Sequence, residues 1–194
     1  MKIFDIVTDK KFLHQKCEKV TLPLNKEDEK TLKQMVEYLE ASQDEELCKK
    51  YNIRPGVGLA ANQIGLKKRM IAIYFVDEKQ QIYKYGLVNP KLVSYSLKQC
   101  CLDSGEGCLS VPKDVDGYVY RYYKVTVQGF DVLTNKEVTI KARGYLAIIL
   151  QHELDHLDGI LYTDKIDKKD PFKVIEDAFV LWFKRLLKFY YQIN

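Results

Sequence analysis

The spacing of apolar residues along the chain changes from a helical period to an alternating one and back again. Over residues 25–48 apolar positions recur three and four residues apart, which predicts an amphipathic helix capped near Asn25. The residues at this spacing are Leu32, Met35, Val36 and Leu39. Similar spacing predicts a helix over residues 144–157, ended by Gly159, and a last helix over residues 171–191.

Shorter runs in the middle of the chain are rich in β-branched and aromatic residues and predict strands. These runs cover residues 69–76, 83–88, 91–95, 124–130 and 137–142, with a turn at Thr134 and Asn135. Strands in the middle with a few helices around them predict an α+β fold. We expect antiparallel β-sheets packed around the helix at 144–157 as a central helix, together with a C-terminal helix. No repeat or linker divides the chain, so residues 1–194 are expected to form a single domain.

The central helix carries the sequence His-Glu-x-x-His at residues 152–156. Residues four apart share one face of a helix, so His152 and His156 can both direct an imidazole at one metal ion. Glu153 follows the first of these ligands and can reach a water molecule on the metal without ligating the metal itself. The motif therefore predicts a central metal-binding helix in a metal-dependent hydrolase.

A third metal ligand is needed, and the sequence offers several patterns for it. The metzincin pattern fails because Tyr162 stands where its third His is required. Glu176 lies about twenty residues after the motif, as in thermolysin-like enzymes. Five cysteines are present, and Cys108 stands out because it follows two glycines in the segment 105–110, Gly-Glu-Gly-Cys-Leu-Ser. On these grounds both Glu176 and Cys108 stay open as ligands.

A second glycine-rich segment lies upstream at residues 56–63, Gly-Val-Gly-Leu-Ala-Ala-Asn-Gln. Its glycines suit a backbone that lies close to a ligand, and Gln63 supplies an amide N–H donor. The segment lacks the Lys-Ser/Thr ending of a phosphate-binding loop, and its glycines do not fit dinucleotide spacing.

Composition limits the cellular compartment and the kinds of partner that we expect for the protein. The 194 residues are 46% hydrophobic, enough for a sizeable core, and the net charge of +4 is too mild to indicate DNA binding. An odd number of cysteines without framework spacing favours a reducing compartment. Asp5 and Asp9 stand where a signal peptide would be apolar, and no apolar run reaches membrane-spanning length. We therefore expect a cytoplasmic protein with no membrane partner.

Three motifs in order resemble the signatures of the peptide deformylase family. They are the segments 56–63, Glu-Gly-Cys-Leu-Ser at 106–110 and Gln-His-Glu-Leu-Asp-His at 151–156. The resemblance spans roughly residues 1–165, although Asn62 replaces the Pro that many members have. The insertion around residues 42–55 and the segment Gly-Tyr-Val-Tyr-Arg at 117–121 resemble the type 2 class of bacterial members.

This resemblance implies an amidohydrolase that removes the formyl group from N-terminal formyl-methionine and releases formate. It implies one Fe²⁺ per chain, replaceable by Zn²⁺, Ni²⁺ or Co²⁺, with metal-bound water as nucleophile. The implied metal ligands are Cys108, His152 and His156. Glu153 is the implied general base and acid, while the side chain of Gln63 and the N–H of Leu109 are the implied oxyanion donors.

The resemblance also indicates which residues surround the site. We expect the substrate to contact Val57, Gly58, Glu106, Gly107, Tyr145, Ile148 and Ile149. Arg121 and Asp155 are expected to form a charged network with Glu106 that sets the metal loop against the helix.

The expected partners are nascent formyl-Met polypeptides. The protein is expected to act on them as a monomer in the bacterial cytoplasm. The last helix is expected either to pack on the domain or to contact a partner such as the ribosome near its exit tunnel.

Two other functions stay open from the residues alone. The first is a metalloendopeptidase with Glu176 as third ligand, and the second is a metal-stabilised binding module without activity.

Overall fold

A computed structural model of the chain describes residues 1–182. The helices are α1 (Lys10–Leu13), α2 (Lys26–Ala41), α3 (Glu45–Tyr51) and α4 (Tyr145–Leu157). The strands are β1 (Gly58–Ala60), β2 (Met70–Val76), β3 (Ile82–Tyr95), β4 (Gln99–Leu102), β5 (Arg121–Tyr122), β6 (Lys124–Asp131), β7 (Lys136–Arg143) and β8 (Phe179–Leu181). Short 3₁₀ turns cover Ala61–Ile64 and Tyr162–Asp164.

The strands form two sheets that meet around α4. The larger sheet has the order β1-β2-β3-β6-β7, and every neighbouring pair in it is antiparallel. The smaller sheet has the order β5-β4-β8, in which β4 and β5 are antiparallel while β4 and β8 are parallel. The predicted α+β fold with antiparallel sheets around the central helix is confirmed, with the β4–β8 pair as a parallel exception.

Both faces of the larger sheet are covered, and β2 shows this most clearly. Ile71, Ile73 and Phe75 of β2 lie in the core that α4 shares with the sheet. Met70 and Ala72, which point to the opposite face, lie in the core that α2 closes. Because both faces of this strand are buried, it reads as a continuous apolar run.

The metal-binding motif is carried by a helix that is itself a core element. Ala147, Leu150, Leu154 and Leu157 of α4 are buried in the core shared with the larger sheet. Each buried leucine stabilises the fold by about 1.5–3 kcal/mol relative to its exposed state. The motif residues are therefore placed by a rigid helix rather than by a loop.

The helix predicted over residues 25–48 is two helices. Its start is as predicted, because Asn25 is the N-cap of α2 and its side chain accepts a 2.8 Å hydrogen bond from the N–H of Asp28. The helix ends at Ala41, and α3 begins after the N-cap Asp44. The break is held by the buried Ser42, whose hydroxyl bonds to the backbone of Gly56.

The strands differ from the prediction mainly in their ends. Predicted strands 83–88 and 91–95 are parts of the single strand β3, whose pairing with β6 is irregular between Val88 and Lys91. Proline at position 90 has no N–H for the ladder, which accounts for the interruption in the sequence pattern. Strands β1, β4 and β5 have two to four residues each and are too short for an alternating pattern to show.

The predicted start of the last helix is wrong. Residues 171–182 form turns followed by β8, and this strand pairs with β4 through Cys100–Leu102. Leu181 packs against the cluster that contains Cys100 and Ile148, and its carbonyl accepts a 3.1 Å hydrogen bond from the N–H of Asp103. These contacts favour an extended chain here over a helix. Residues 183–194, the rest of the predicted helix, lie outside the described residues.

Within residues 1–182, no helix has both the length and the apolar content that crossing a bilayer requires.

Candidate metal centre and active site

Polar contacts on two sides fix the rotation of α4 and so the direction of its motif. The side chain of Gln151 accepts a hydrogen bond from the N–H of Tyr122 and donates one to the carbonyl of the same residue, both at 2.9 Å. On another side, Asn62 Nδ2 donates to the carbonyl of His156 at 2.7 Å. These bonds tie the helix to β5 and to the 3₁₀ turn that follows β1.

The ligand atoms of Cys108, His152 and His156 lie within 4.8 Å of one another, and all three residues are buried. Cys108 Sγ and His156 Nε2 are 3.2 Å apart. Of the two candidates for a third ligand, the structure brings Cys108 to the histidines, while Glu176 is exposed. Tyr162, at the metzincin position, is buried and its hydroxyl accepts a hydrogen bond from the N–H of Val115 at 3.0 Å.

Such a donor set fits a transition-metal ion. One thiol and two imidazoles are ligands that Zn²⁺ and Fe²⁺ accept, and three protein ligands leave a position open for a reacting molecule. Burial, followed by the field of His152, lowers the pKa of His156 well below its usual value, which favours the neutral imidazole that ligates a metal.

The carboxylate of Glu153 is buried next to these ligands. Its Oε2 makes no hydrogen bond among the described residues, which is costly for a buried oxygen and typical of an atom that meets a substrate or water. Burial raises the pKa of Glu153 to about 7, and the fields of His152 and Arg121 only partly oppose this. A group of this kind can both accept and release a proton near neutral pH.

A charged network stands behind His152. Its Nδ1 lies 2.8 Å from Glu106 Oε2, which leaves Nε2 for the metal site. Arg121 donates to Glu106 through Nε at 2.5 Å and Nη2 at 2.9 Å, and to Asp155 through Nη1 at 2.7 Å. Burial alone would raise the pKa of Glu106, but the Arg121 guanidinium lowers it to about 2. The structure thus joins Glu106, Arg121 and Asp155 in one network.

Gln63 and Leu109 line the cleft next to Cys108. Gln63 Oε1 accepts a hydrogen bond from the N–H of Ala60 at 2.8 Å, which fixes the amide so that Nε2 points into the site. This Nε2 donates to Ser110 Oγ at 3.2 Å and to Cys108 Sγ at 3.4 Å. The N–H of Leu109 has no acceptor among the described residues.

An open cleft of about 290 Å³ leads from the protein surface to Glu153. Every residue predicted to contact substrate lines it, namely Val57, Gly58, Glu106, Gly107, Tyr145, Ile148 and Ile149. Apolar walls with a few convergent polar groups are typical of small-ligand sites. The arrangement can hold an extended, partly apolar chain end against the metal ligands.

Sequence reasoning missed several polar residues that support the site. Ser110 and Gln151 lie within the three family motifs, and this position could have indicated that they support the site. Gln43 lines the cleft and donates to the carbonyl of Gly56, thirteen residues further along the chain. Nothing in the local sequence pattern predicts that contact.

Comparisons with known proteins agree with this geometry. The family model described as polypeptide deformylase matches residues 3–172. The curated relative peptide deformylase 2 of Geobacillus stearothermophilus is 50% identical over 166 residues, 86% of this chain and 90% of the relative. Other relatives, such as that of Bacillus subtilis, also carry the name peptide deformylase 2, in line with the predicted class.

Solved structures give the same result. The crystal structure of a probable peptide deformylase from Synechococcus phage S-SSM7 has a TM-score of 0.68 and 35% identity, and covers 84% of this chain and 99% of its own. The Met-Ala-Ser-bound peptide deformylase of Acinetobacter baumannii has a TM-score of 0.66 and 28% identity, and covers 85% of this chain and 99% of its own. The chain therefore belongs to the polypeptide deformylase family of hydrolases.

Proposed function

We propose that the protein removes the formyl group from the N-terminal formyl-methionine of newly made polypeptides and releases formate. The observation that carries this proposal is the convergence of Cys108, His152 and His156 beside the buried carboxylate of Glu153. The relative from Acinetobacter baumannii was solved with Met-Ala-Ser bound. A peptide of this kind is what deformylation of formyl-Met-Ala-Ser would leave.

Cys108, His152 and His156 would hold one metal ion per chain. We propose Fe²⁺ as the native ion, with Zn²⁺, Ni²⁺ or Co²⁺ as substitutes, since all of them accept this mixture of thiolate and imidazole ligands. When bound, the ion would supply a Lewis acid that lowers the pKa of a water molecule to near neutrality. Glu106, held by Arg121 and Asp155, would keep the ring of His152 in the orientation and tautomer that ligation needs.

Glu153 would move the proton. Its Oε2, which has no partner among the described residues, takes a proton from the attacking water. The same oxygen then delivers that proton to the amine of methionine as the bond between the formyl carbon and the nitrogen breaks. One carboxylate thus serves as base and then as acid, and the products are formate and a peptide with a free amino terminus.

Gln63 and the N–H of Leu109 would hold the formyl oxygen as negative charge builds on it. The hydrogen bond from Ala60 fixes the amide of Gln63 in advance, so little reorganisation is required during the reaction. Ser110 accepts from the same amide and helps to fix it.

The apolar wall of the cleft would accept the methionine side chain. Val57, Tyr145, Ile148 and Ile149 supply this wall, and Gly58, Glu106 and Gly107 line the path of the peptide. We further propose that the enzyme acts as a monomer in the bacterial cytoplasm, on nascent chains close to the ribosome.

Release of formate from formyl-Met-Ala-Ser tests the function directly. Protein purified without oxygen and loaded with Fe²⁺ or Ni²⁺ is expected to turn this peptide over. Glu153→Gln keeps the shape of the side chain and the three ligands, so it should retain the metal while kcat falls by at least about 10²-fold. Metal content is measured on the same samples by elemental analysis.

The matched control is Glu176→Gln, which makes the same chemical change at an exposed position. It should leave both metal content and turnover unchanged, whereas the metalloendopeptidase alternative requires it to lose the metal. Absence of turnover by a wild-type protein that holds one metal would overturn the proposed function in favour of a binding module.

A further inference from the structure

Ser42 and Gln43 reach from the break between α2 and α3 to the wall of the cleft. Ser42 is fully buried, with 0% of its surface exposed, and its hydroxyl lies 2.8 Å from the carbonyl of Leu39. The same hydroxyl oxygen accepts a 3.1 Å hydrogen bond from the N–H of Gly56. The side chain of Gln43 is half-buried and donates through Nε2 to the carbonyl of Gly56 at 2.5 Å.

Both backbone groups of Gly56 are therefore held by side chains rather than by a neighbouring strand. The carbonyl also lies 3.2 Å from the Ser42 hydroxyl, but that hydroxyl has one proton and a closer acceptor in Leu39. Gln43 is thus the main donor to the carbonyl of Gly56. Since Gln43 itself lines the cleft, this bond lies at the edge of the substrate path.

The position of Gly56 matters because two parts of the site rest on the segment that follows it. A Cβ atom built on Gly56 would lie 3.0 Å from Leu109 Cδ1, so the side chain of Leu109 packs directly on this glycine. Two residues on, Gly58 lies against the side chain of Glu153. A shift of residues 56–58 would change the width of the cleft between them and the segment that contains Leu109.

A role in ending α2 does not explain these contacts. Ser42 already meets that need by bonding to Leu39, within the last turn of the helix. The bond from Gln43 crosses to a residue thirteen positions away, and α2 gains no backbone partner from it.

We propose that Gln43, supported by Ser42, is a positioning residue for substrate binding, a role that rests on the proposed deformylation. It fixes the carbonyl of Gly56 and so sets the wall formed by residues 56–58 for the peptide. Its bond is made at Gly56, two residues before the glycine that lies against Glu153, so the main effect is expected on KM and only a small one on kcat.

Gln43→Met removes the donor at nearly constant size. KM for formyl-Met-Ala-Ser is expected to rise about three- to tenfold, as for the loss of one hydrogen bond, while kcat stays within about twofold. Gln43→Glu places a carboxylate against the same carbonyl and should raise KM at least as much. The matched control is Gln15→Met, because Gln15 makes an exposed bond to the carbonyl of Lys11 far from the cleft.

Amide hydrogen exchange at Gly56–Gly58 supplies a readout that is independent of turnover. Exchange in this segment should be faster in Gln43→Met than in the wild type, with metal content and melting temperature close to wild type. An unchanged KM, with or without faster exchange, in a wild-type background that releases formate would overturn the positioning role alone. If the wild type releases no formate, the proposed function fails and the positioning role fails with it.

Discussion

At the scale of single residues, Gly58 illustrates how closely the site is packed. A Cβ atom at this position would lie 2.7 Å from Cδ and 2.9 Å from Cγ of Glu153. Gly58→Ala must therefore push the carboxylate of Glu153 away, and for a group in the proposed acid–base role a displacement of about 1 Å costs on the order of 10²-fold in rate. We expect kcat to fall by about that factor while the three ligands keep the metal, as measured by formate release and elemental analysis.

Gly129→Ala separates this effect from tight packing in general. A Cβ atom at Gly129, in the middle of β6, would lie 3.1 Å from the carbonyl oxygen of Val88 and far from the site. This variant is expected to lose stability and keep its kcat. Equal kcat values for Gly58→Ala and the wild type would show that Glu153 is not held by Gly58.

Loss of Arg121 should strongly lower the free energy of unfolding. It is buried between Glu106 and Asp155, so Arg121→Met leaves the Glu106 charge buried without its main partner. Loss of one partner from a buried ion pair costs about 3–5 kcal/mol of unfolding free energy. Urea unfolding measures this loss, and metal titration should show weaker binding because Glu106 also orients His152.

The comparison for Arg121 is Arg69→Met. Arg69 pairs with one carboxylate, that of Asp158 at 2.7 Å, and Asp158 is half exposed. Removal of this surface pair should cost about 1 kcal/mol or less and leave metal affinity unchanged. Equal losses for the two variants would contradict a special role for the buried network.

At the scale of elements, the end of α4 is docked on the amino-terminal segment. Gly159 has φ of +73°, and a Cβ atom there would lie 2.7 Å from the carbonyl carbon of His14. Gly159→Ala therefore combines a strained backbone with a clash against backbone atoms, and we expect a loss of about 2 kcal/mol or more. Urea unfolding of the variant tests this value.

Gly65→Ala is the matched control for Gly159. Gly65 also has a positive φ, of +84°, but no atom lies within 4 Å of the Cβ that would be added. Backbone strain alone should cost about 1 kcal/mol here. If the free energy of unfolding falls equally in both variants, the contact between α4 and the amino-terminal segment contributes little to stability.

The elements that could be predicted from sequence are those whose signal is local. The N-cap at Asn25, the motif helix and the pair β6–β7 each have a period or a polar cap within a few residues. The break at Ser42 depends on a bond to Gly56, and β8 depends on pairing with β4 about eighty residues earlier. No local pattern carries such information, because the stabilising partner is distant in the chain.

In the candidate site, too, local relations could be predicted from the sequence and contacts between distant segments could not. His152, Glu153 and His156 could be placed relative to one another because helix geometry fixes them. The choice between Cys108 and Glu176 could not be made from spacing, since it depends on how the sheets bring separate segments together. Resemblance to the family indicated Cys108, and the convergence of ligand atoms agrees with it.

At the scale of the whole molecule, the five cysteines should differ sharply in reactivity. Burial raises the pKa of Cys17 to about 11 and of Cys100 to about 12, so both thiols stay protonated at neutral pH. Cys108 lies in the open cleft and is the thiol that metal would protect. Removal of the metal by a chelator should expose about one rapidly reacting thiol per chain to a disulfide reagent.

Cys48→Ser serves as the control, because Cys48 is half-buried whereas the other four cysteines are buried. This variant should keep the metal-dependent reaction, whereas Cys108→Ser should abolish it. A reaction rate that does not change on metal removal would argue against Cys108 as a ligand.

Cys108 and His156 are separated by 48 positions, and β5, β6 and β7 lie between them. Closing a loop of this length has an entropic cost that short-range contacts do not bear. The donor set is therefore a long-range feature of the fold, since it joins the segment before β5 to the helix that follows β7. A chain still emerging during synthesis therefore cannot assemble these three side chains until it extends through His156.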